Sequence, residues 1–346
     1  MCYTSPSLTK LFCLVLLCLS GSLNSFGRTQ HIFHLTNGLS SAEVPFTLVD
    51  NLIIVEAVIA GKKSMNFLLD NGTSNPVIFK RAYIKDLPLE LGRQISFRGV
   101  GSGKAVQATI INGTSLHLSG AASDRIGMVV LDKSPFPRHT FGGLEVHGVL
   151  GATLFRSFVV EIDYPGRVLR LHQHRDFLPP QDFHKMPMRV IEQKPYLTAT
   201  IQGANGTLDA HFMLDLGFNN SLMLQITDSL AKTMLTQRIV TKIGIGYSGA
   251  VAGRSGQVAS VQIGNKRFLE VPAVVPFQRN YTMTPVSQDI TRMGSIGSTL
   301  FLDTSIILNY PDETFYFKGT VPYVANREEG TQLPVPAIEE NDNMIF

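Results

Sequence analysis

The sequence has little charge, little cysteine and almost no long apolar runs. Only 16% of its 346 residues are charged, and 30 basic against 27 acidic residues give a net charge of +3. This balance gives no electrostatic reason to expect a nucleic-acid partner. A single continuous apolar stretch, at 11–19, excludes a polytopic membrane protein. Because 44% of the residues are apolar, the chain is too hydrophobic to be disordered, and its length predicts roughly two globular domains.

The apolar stretch has the order of parts found in a secretory signal peptide. Lys10 precedes it, and the small residues Ser20-Gly21-Ser22 follow it. A membrane-spanning helix, the alternative, would need about 20 apolar residues. We therefore predict a signal peptide at 1–27 and export to the periplasm, the cell envelope or the extracellular space. No integral membrane span is expected after cleavage.

The three cysteines, Cys2, Cys13 and Cys18, all lie within or before the apolar stretch. Cleavage near Gly27 would leave the mature protein without a disulfide or a cysteine-based metal site. Lipid attachment at Cys18 is disfavoured because Leu17, not a small residue, precedes it. No metal or cofactor is predicted.

Two sequence blocks recur at nearly the same spacing. The block Phe67-Leu68-Leu69-Asp70-Asn71-Gly72 returns 145 residues later as Phe212-Met213-Leu214-Asp215-Leu216-Gly217, and 148–155 returns 146 residues later as 294–301. Two predicted strands joined by a Tyr-Pro turn follow block 148–155, and two more follow block 294–301. Two independent blocks with one common spacing indicate a duplicated domain.

Each half of the sequence is dominated by short apolar or alternating runs separated by turn residues. Thirty glycines and 18 prolines favour the same interpretation. We therefore predict an all-β protein with little helix. The predicted strands include 52–59, 126–131, 168–172, 196–201, 271–275 and 314–318. Hairpin turns are expected at 61–63, 112–113, 205–206 and 264–266, and short helices at 152–158 and 227–235.

Asp70 and Asp215 each end an apolar strand and are followed at the second position by glycine. A carboxylate among apolar side chains is costly to bury alone, and the glycine permits a tight turn and a close approach by other groups. An approximate twofold axis between the copies could bring the carboxyls together. Two carboxyls about 3 Å apart share one proton, and such a pair can add water to an amide by general acid–base catalysis.

This layout resembles the two-lobed, pepsin-like aspartic peptidases and, more closely, their exported bacterial relatives in the retropepsin-like superfamily. The resemblance covers 44–318 and depends on the Asp-x-Gly turns and on Val149-Leu150-Gly151, with Ser295-Ile296-Gly297 as a looser copy. It implies two pseudo-twofold-related β-barrel lobes, at 40–172 and 189–325, with an interlobe cleft. Residues 173–188 would be the linker and 326–346 a polar tail.

The resemblance also implies an activity and a site. Asp70 and Asp215 would be the catalytic dyad of an aspartic-type endopeptidase that hydrolyses an extended peptide or protein substrate with an activated water. Segment 97–103 would be a flap over the substrate, with a counterpart near 246–249. The residues expected at the flap and cleft are Gly99, Val100, Gly101, Ser102, Tyr247, Ile78 and Met223. Val77 and Leu222 are expected to line the cleft walls as well.

The two turns depart from the Asp-Thr-Gly pattern of this superfamily. Asn71 could donate and accept the hydrogen bonds that the family's threonines make across the dyad, whereas Leu216 cannot. Thr73 keeps a hydroxyl for Asp70, whereas Phe218 removes the corresponding one for Asp215. Gly72 and Gly217 are retained. We therefore expect an asymmetric dyad in which Asp215 holds the proton.

Alternative functions remain open at this stage. One is a catalytically impaired pepsin-like protein that binds peptides or envelope ligands without cleavage, and another is a structural β protein with a vestigial cleft. A phosphate-binding loop at 99–104 is disfavoured by its spacing and by the absence of a following helix. His172 and His174 lack the further ligands of a metal site. Asp163 is expected to have a structural role in a turn.

Overall fold

The computed structural model describes residues 33–97, 99–101, 103–136, 141–277, 284–287, 290–318 and 323–324. Strands make up 57% and helices 9% of the structure, which includes a closed six-stranded barrel. The prediction of an all-β protein is therefore confirmed. The predicted signal peptide (1–27) and polar tail (326–346) lie outside the described residues. No helix in the described part of the chain has the length and apolar character needed to cross a membrane.

The strands of the first half follow one another with few interruptions. They are β1 His34–Leu35, β2 Ser41–Val49, β3 Leu52–Ile59, β4 Lys63–Leu69, β5 Val77–Ile78, β6 Leu91–Phe97, β7 Val106–Leu118, β8 Ala121–Leu131, β9 Gly148–Leu150, β10 Val159–Asp163 and β11 Val168–His172. Helix α1 spans Thr153–Ser157, and short 3-10 turns lie at Arg81–Ile84 and His174–Asp176.

The second half contains a similar series. Its strands are β12 Phe183–Pro187, β13 Arg189–Ile191, β14 Lys194–Gln202, β15 Thr207–Asp215, β16 Leu222–Leu224, β17 Thr236–Gly246, β18 Gly249–Ile263, β19 Lys266–Pro276, β20 Thr284–Pro285, β21 Thr291–Gly297, β22 Ser305–Asn309, β23 Thr314–Lys318 and β24 Tyr323–Val324. Helix α2 spans Asp228–Met234, and a 3-10 turn lies at Ser298–Phe301.

Two sets of eight strands have the same order and the same pairing directions. One set runs β2-β3-β4-β9-β5-β8-β7-β6 and the other β13-β14-β15-β21-β16-β19-β18-β17. In each set, the strand that leads to the Asp-x-Gly turn runs parallel to the strand that contains the second repeated block. Pairing of β3 with β7, and of β14 with β18, closes a ring of six strands in each set. The repeated sequence blocks therefore occupy equivalent places.

A sheet with the order β12-β23-β22-β10-β11-β2 joins the two halves of the chain. As predicted, one Tyr-Pro turn joins β10 to β11 and the other joins β22 to β23. The two hairpins pair with each other through β10 and β22. The segment 173–188, predicted as a linker, contributes β12 to this sheet. The Asp163 carboxylate accepts the N–H of Gly166 at 3.0 Å in the first turn.

Alternation of side chains along the strands builds the core. In β3, Ile53, Val55, Ala57 and Ile59 are almost fully buried in the main apolar cluster, which also includes residues of the second half. Burying each such aliphatic side chain contributes roughly 1.5–3 kcal/mol. Leu52 and Ile54, on the other face of β3, belong to a separate cluster with Leu68 and Val77. This second cluster reaches the candidate site.

Most local predictions are confirmed, and one turn is wrong. Strands β3, β11 and β23 have the predicted bounds, and the predicted helices form at α1 and α2, where the Thr227 hydroxyl caps α2 by accepting the N–H of Leu230. The hairpin predicted at 112–113 does not form. These residues lie inside β7, where the register shifts between Ile111 and Thr114 and Gly113 has a φ of +150°. The Asn-Gly pair is therefore accommodated as a β-bulge.

Candidate active site

The two Asp-x-Gly turns place Asp70 and Asp215 side by side. A methyl group added to Gly72 would lie 3.0 Å from Asp70 Oδ1 and 3.4 Å from Asp215 Oδ1, so both oxygens border the same small space. A methyl group on Gly217 would lie 2.5 Å from Asp70 Cγ. Glycine at 72 and 217 is thus required for the close approach of the two turns. Neither aspartate is fully buried as a residue, although both carboxyl groups are largely desolvated.

Asn71 bridges the two turns beneath the carboxyls. Its side-chain Nδ2 donates to the backbone oxygen of Leu214 at 3.0 Å, and its Oδ1 accepts the N–H of Leu216 at 2.9 Å. Asn71 is fully buried. A single amide therefore makes both the donor and the acceptor contact across the pair, while Leu216 packs in the core.

The second repeated block supports each turn from behind. In the first half, the N–H of Asp70 donates to Leu150 O at 3.1 Å and the N–H of Ala152 donates to Thr73 O at 2.7 Å. A methyl group on Gly151 would lie 2.4 Å from Thr73 O. In the second half, a methyl group on Gly297 would lie 1.9 Å from Asn220 O. These contacts explain why both blocks carry glycine at this position.

The hydrogen bonds to the two carboxyls differ. Asp70 accepts the Gly72 N–H at 2.7 Å through Oδ1 and the Thr73 hydroxyl at 2.8 Å through Oδ2. Asp215 accepts the Gly217 N–H at 3.2 Å, and Phe218 offers no hydroxyl. Burial raises the pKa of both groups. The negative charge of Asp70 raises the pKa of Asp215 further, to about 7, whereas the hydrogen bonds from Thr73 and Gly72 offset part of the rise in the pKa of Asp70.

Tyr310 lies close to this hydrogen-bonded pair, and sequence reasoning missed its position. Its hydroxyl is buried near Asn71 and makes no well-aligned hydrogen bond with the described residues. Its ring stacks on Phe155 at 5.5 Å between centroids. Burial raises the pKa of the Tyr310 hydroxyl, so it remains protonated. The sequence marked this tyrosine only as part of a Tyr-Pro turn.

The tips of two hairpins meet at this site. The β6–β7 hairpin carries Gly99, Val100 and Gly101, and the β17–β18 hairpin carries Tyr247 and Ser248. The Gly99 N–H donates to Ser248 Oγ at 3.0 Å, and the Ser248 N–H donates to Val100 O at 2.9 Å. A methyl group on Gly101, whose φ is +126°, would lie 2.5 Å from the Ser248 carbonyl carbon. Ser102, also predicted here, lies outside the described residues.

Tyr247 reaches from the second half into an aromatic cluster of the first half. Its ring centroid lies 6.0 Å from that of Phe97, 6.1 Å from Phe136 and 6.5 Å from Phe79. Its buried hydroxyl makes no well-aligned hydrogen bond with the described residues, although it lies near Thr73. Burial and the charge of Asp70 raise the pKa of this hydroxyl. Tyr247 therefore lies beside the Asp70 turn, between it and the aromatic cluster of the first half.

Three of the four residues predicted to line the cleft walls are buried in apolar clusters: Val77, Ile78 and Leu222. Ile78 and Leu222 are fully buried in the main apolar cluster, and their neighbours Val77 and Met223 lie on the opposite faces of their strands. Adjacent residues of a strand point to opposite faces, and Ile78 and Leu222 are on the face that packs into the main cluster.

Basic residues lie on the side of the pair formed by the second half. Lys194 lowers the pKa of both Asp70 and Asp215, and Arg292 lowers that of Asp215. Neither residue could be assigned to the site from the sequence, because each is distant along the chain from the Asp70 turn and carries no motif that marks it.

The histidines that were considered as metal ligands pair with acids. His172 Nε2 lies 3.1 Å from Glu161, and His174 Nε2 lies 2.9 Å from Asp312. Among the described residues, no group of three or more His, Cys, Asp or Glu side chains is arranged to hold a metal ion. A site without metal or cofactor stays a prediction.

Comparisons with known proteins add no relative. No protein-family model matches the chain, and no curated protein is significantly similar to it. The site must therefore be interpreted from its own geometry.

Proposed function

We propose that this chain is an exported aspartic-type peptidase with two pepsin-like lobes related by an internal duplication. The observation that carries the proposal is the Asp70–Asp215 pair, held by the bridging amide of Asn71 and by glycines at 72 and 217. The equal strand orders of the two halves support the two-lobed interpretation. Export rests on the signal peptide predicted at 1–27.

The proposed reaction uses one proton shared between two carboxyls. Asp70, whose charge is stabilised by Thr73 and Gly72, takes a proton from water as the water oxygen attacks the carbonyl carbon of the peptide. Asp215 gives its proton to the carbonyl oxygen, which forms a gem-diol. Asp70 then passes its proton to the amide nitrogen, the C–N bond breaks, and a diol hydroxyl returns its proton to Asp215. Atoms and charges balance, and no covalent enzyme intermediate forms.

An extended peptide is the substrate class that suits this site. The exposed backbone of a hairpin edge pairs with an extended chain by strand addition, and the tip of β17–β18 brings Tyr247 near Asp70 and Thr73. The tips of β6–β7 and β17–β18 bind each other through Gly99, Val100 and Ser248. Substrate entry would require these tips to separate.

Digestion of a mixed peptide library between pH 3 and 8 tests the proposal. Asp70→Asn and Asp215→Asn should each reduce turnover at least about 1,000-fold, because each removes one partner of the acid–base pair. Asp124→Asn, which makes the same change at an exposed position of β8, is the matched control and should leave turnover unchanged. Turnover that persists in both dyad variants would refute the proposal.

The second candidate is a protein that binds peptides or envelope ligands without cleaving them. Phe218 favours this alternative, because it offers no hydroxyl and leaves Asp215 with the Gly217 N–H as its one hydrogen-bond donor among the described residues. Tight peptide binding without turnover, unaffected by Asp70→Asn or Asp215→Asn, would establish this alternative. Leu216→Thr combined with Phe218→Ser should raise the turnover of a weak enzyme and leave a binder inactive.

A further inference from the structure

The two sides of the carboxyl pair differ in chemistry. The side formed by the first half carries the aromatic cluster of Phe79, Phe97 and Phe136, which Tyr247 covers. The side formed by the second half carries Lys194 and Arg292, both partly exposed. Phe79 is buried within the cluster, whereas Lys194 and Arg292 are partly exposed, so a substrate lying across the pair would meet positive charge on the side formed by the second half.

Strand pairing fixes the position of Arg292 next to the site. In β21, Ser295 lies directly opposite Met213 of β15, two residues before Asp215. The Arg292 side chain donates through Nη2 to Ser295 Oγ at 2.7 Å and through Nε to the backbone oxygen of Gly294 at 3.2 Å. The Met213 methyl in turn lies 3.0 Å from the methyl position of Gly72. The strand register therefore places Arg292 and Ser295 beside the end of β15 that leads to Asp215.

Both cations have hydrogen-bonding capacity left over. A guanidinium has five N–H donors, and Arg292 commits two of its N–H groups to the contacts with Gly294 and Ser295. The Lys194 ammonium makes no hydrogen bond with the described residues. Within the described chain, neither cation forms an ion pair. The exposed Glu192 influences nearby Tyr196 but does not pair with Lys194 or Arg292.

We propose that Arg292 and Lys194 select a substrate carboxylate on the Asp215 side of the carboxyl pair. The carboxylate would belong either to an Asp or Glu side chain or to the free C-terminus of the peptide. Charge-assisted hydrogen bonds from a planar guanidinium suit this group. The inference rests on the proposed function, since it names the substrate class of the same site.

Binding to the Asp215→Asn protein tests selection without turnover. The Asn amide is neutral, as Asp215 is in its proposed protonated form. The probes are octapeptides with Phe followed by Glu or by Gln, and truncated peptides that end after that second position as a free acid or as an amide. We expect the carboxylate to tighten binding about 10-fold or more, in line with about 1.5–3 kcal/mol for a hydrogen bond to a charged group.

Variants then distinguish the effect of these two cations on peptide binding from the effect of the protein's net charge. In the Asp215→Asn background, Arg292→Gln with Lys194→Gln should reduce the Glu-over-Gln preference to less than about 2-fold. Arg292→Lys should keep part of the preference, since it keeps the charge and loses the planar fork. Lys62→Gln, at an exposed hairpin tip, is the control for net charge and should keep the full preference. Circular dichroism checks the folding of each variant.

Each outcome bears on the proposal. Preference for the Glu peptide alone identifies a side-chain carboxylate, and preference for the truncated acid alone identifies a free C-terminus. Equal binding of acid and neutral probes, or a preference that survives in the double variant, overturns selection while leaving the peptidase proposal intact. If replacing the two cations changed the pH profile of turnover but not the selectivity, their role would be to tune the pKa values of the dyad. That result would also overturn the proposed selection of a carboxylate. Absence of binding to every peptide would refute both proposals.

Discussion

The Asp70 turn and the Asp215 turn have the same backbone course but different side-chain chemistry. In both, the carboxyl accepts the N–H of the glycine two residues later, at 2.7 Å for Asp70 and 3.2 Å for Asp215. Asp70 also accepts the Thr73 hydroxyl, whereas Asp215 is followed by Phe218 at the matching position. One turn thus stabilises a carboxylate and the other favours a protonated acid.

The difference shows how two related copies can divide one task. The bridge between the turns comes from Asn71 alone, and its counterpart Leu216 is fully buried in the core. A symmetric dyad would need each copy to supply both functions. Here the first copy supplies the polar contacts and the second supplies apolar packing, which is the arrangement expected of a base and an acid with separated pKa values.

The largest predicted effect comes from removing the bridge. Asn71→Leu, a change of similar size, deletes both cross-turn hydrogen bonds and leaves Leu214 O and the Leu216 N–H buried without a partner. The free energy of unfolding should fall by about 2–5 kcal/mol, because each buried orphaned group costs roughly 1–3 kcal/mol. Urea unfolding monitored by circular dichroism measures this change.

The matched control is the equivalent position in the other copy. Leu216→Met conserves volume in the core and should cost less than about 1.5 kcal/mol. If Asn71→Leu were no more destabilising than Leu216→Met, the asymmetric bridge would not be what holds the turns together.

The second prediction concerns the pH dependence of turnover. Activity should fall at acid pH as Asp70 gains a proton, and at alkaline pH as Asp215 loses its proton near its pKa of about 7. Phe218→Ser offers a hydroxyl to the Asp215 carboxylate, so it should lower that pKa and move the alkaline limb down by about one pH unit. Thr73→Val should raise the pKa of Asp70 and move the acid limb up. Profiles of kcat from pH 3 to 9 measure both limbs.

Stability checks the same pKa values without any substrate. Because the pKa of Asp215 is higher in the folded than in the unfolded chain, the folded state holds more protons between about pH 3.9 and 7. The free energy of unfolding should therefore fall as pH rises through this range, and Asp215→Asn should reduce the fall. Two results together would contradict the assigned asymmetry. The alkaline limb of the kcat profile would be unchanged in Phe218→Ser, and the pH dependence of the free energy of unfolding would be the same in Asp215→Asn as in the unmodified protein.

Local patterns predicted much of the fold and the central pair of the site. Alternating apolar residues gave the bounds of β3, and the common spacing of the repeats led to Asp70 and Asp215. The prediction of a turn at Asn112-Gly113 was wrong because a dipeptide preference reflects only local conformation. In the structure, β7 continues through these residues and pairs with β8 on both sides of them. Tyr310 and Arg292 were missed because their closeness to the site depends on strands that meet only in the folded chain.

The smallest predicted effect lies at the hairpin tips, where the two halves also differ. The first tip is rich in glycine, whereas the second provides Ser248, whose buried hydroxyl accepts the Gly99 N–H. Ser248→Ala removes this acceptor but keeps the backbone bonds to Val100 and Gly103. Hydrogen exchange of the Gly99 amide should therefore quicken by about 2–10-fold, the equivalent of about 0.5–1.5 kcal/mol.

Ser64→Ala, at an exposed position of β4, is the control for this change and should leave the exchange of Gly99 unaltered. Since two backbone bonds remain in Ser248→Ala, KM for a peptide should change less than about 3-fold. A loss of protection beyond about 100-fold that spreads to the amides of Gly103 and Ser248 would mean that the hydroxyl alone holds the tips together. In that case the second half would control access to the site through a single side chain, and the tips would not be joined mainly by their backbones.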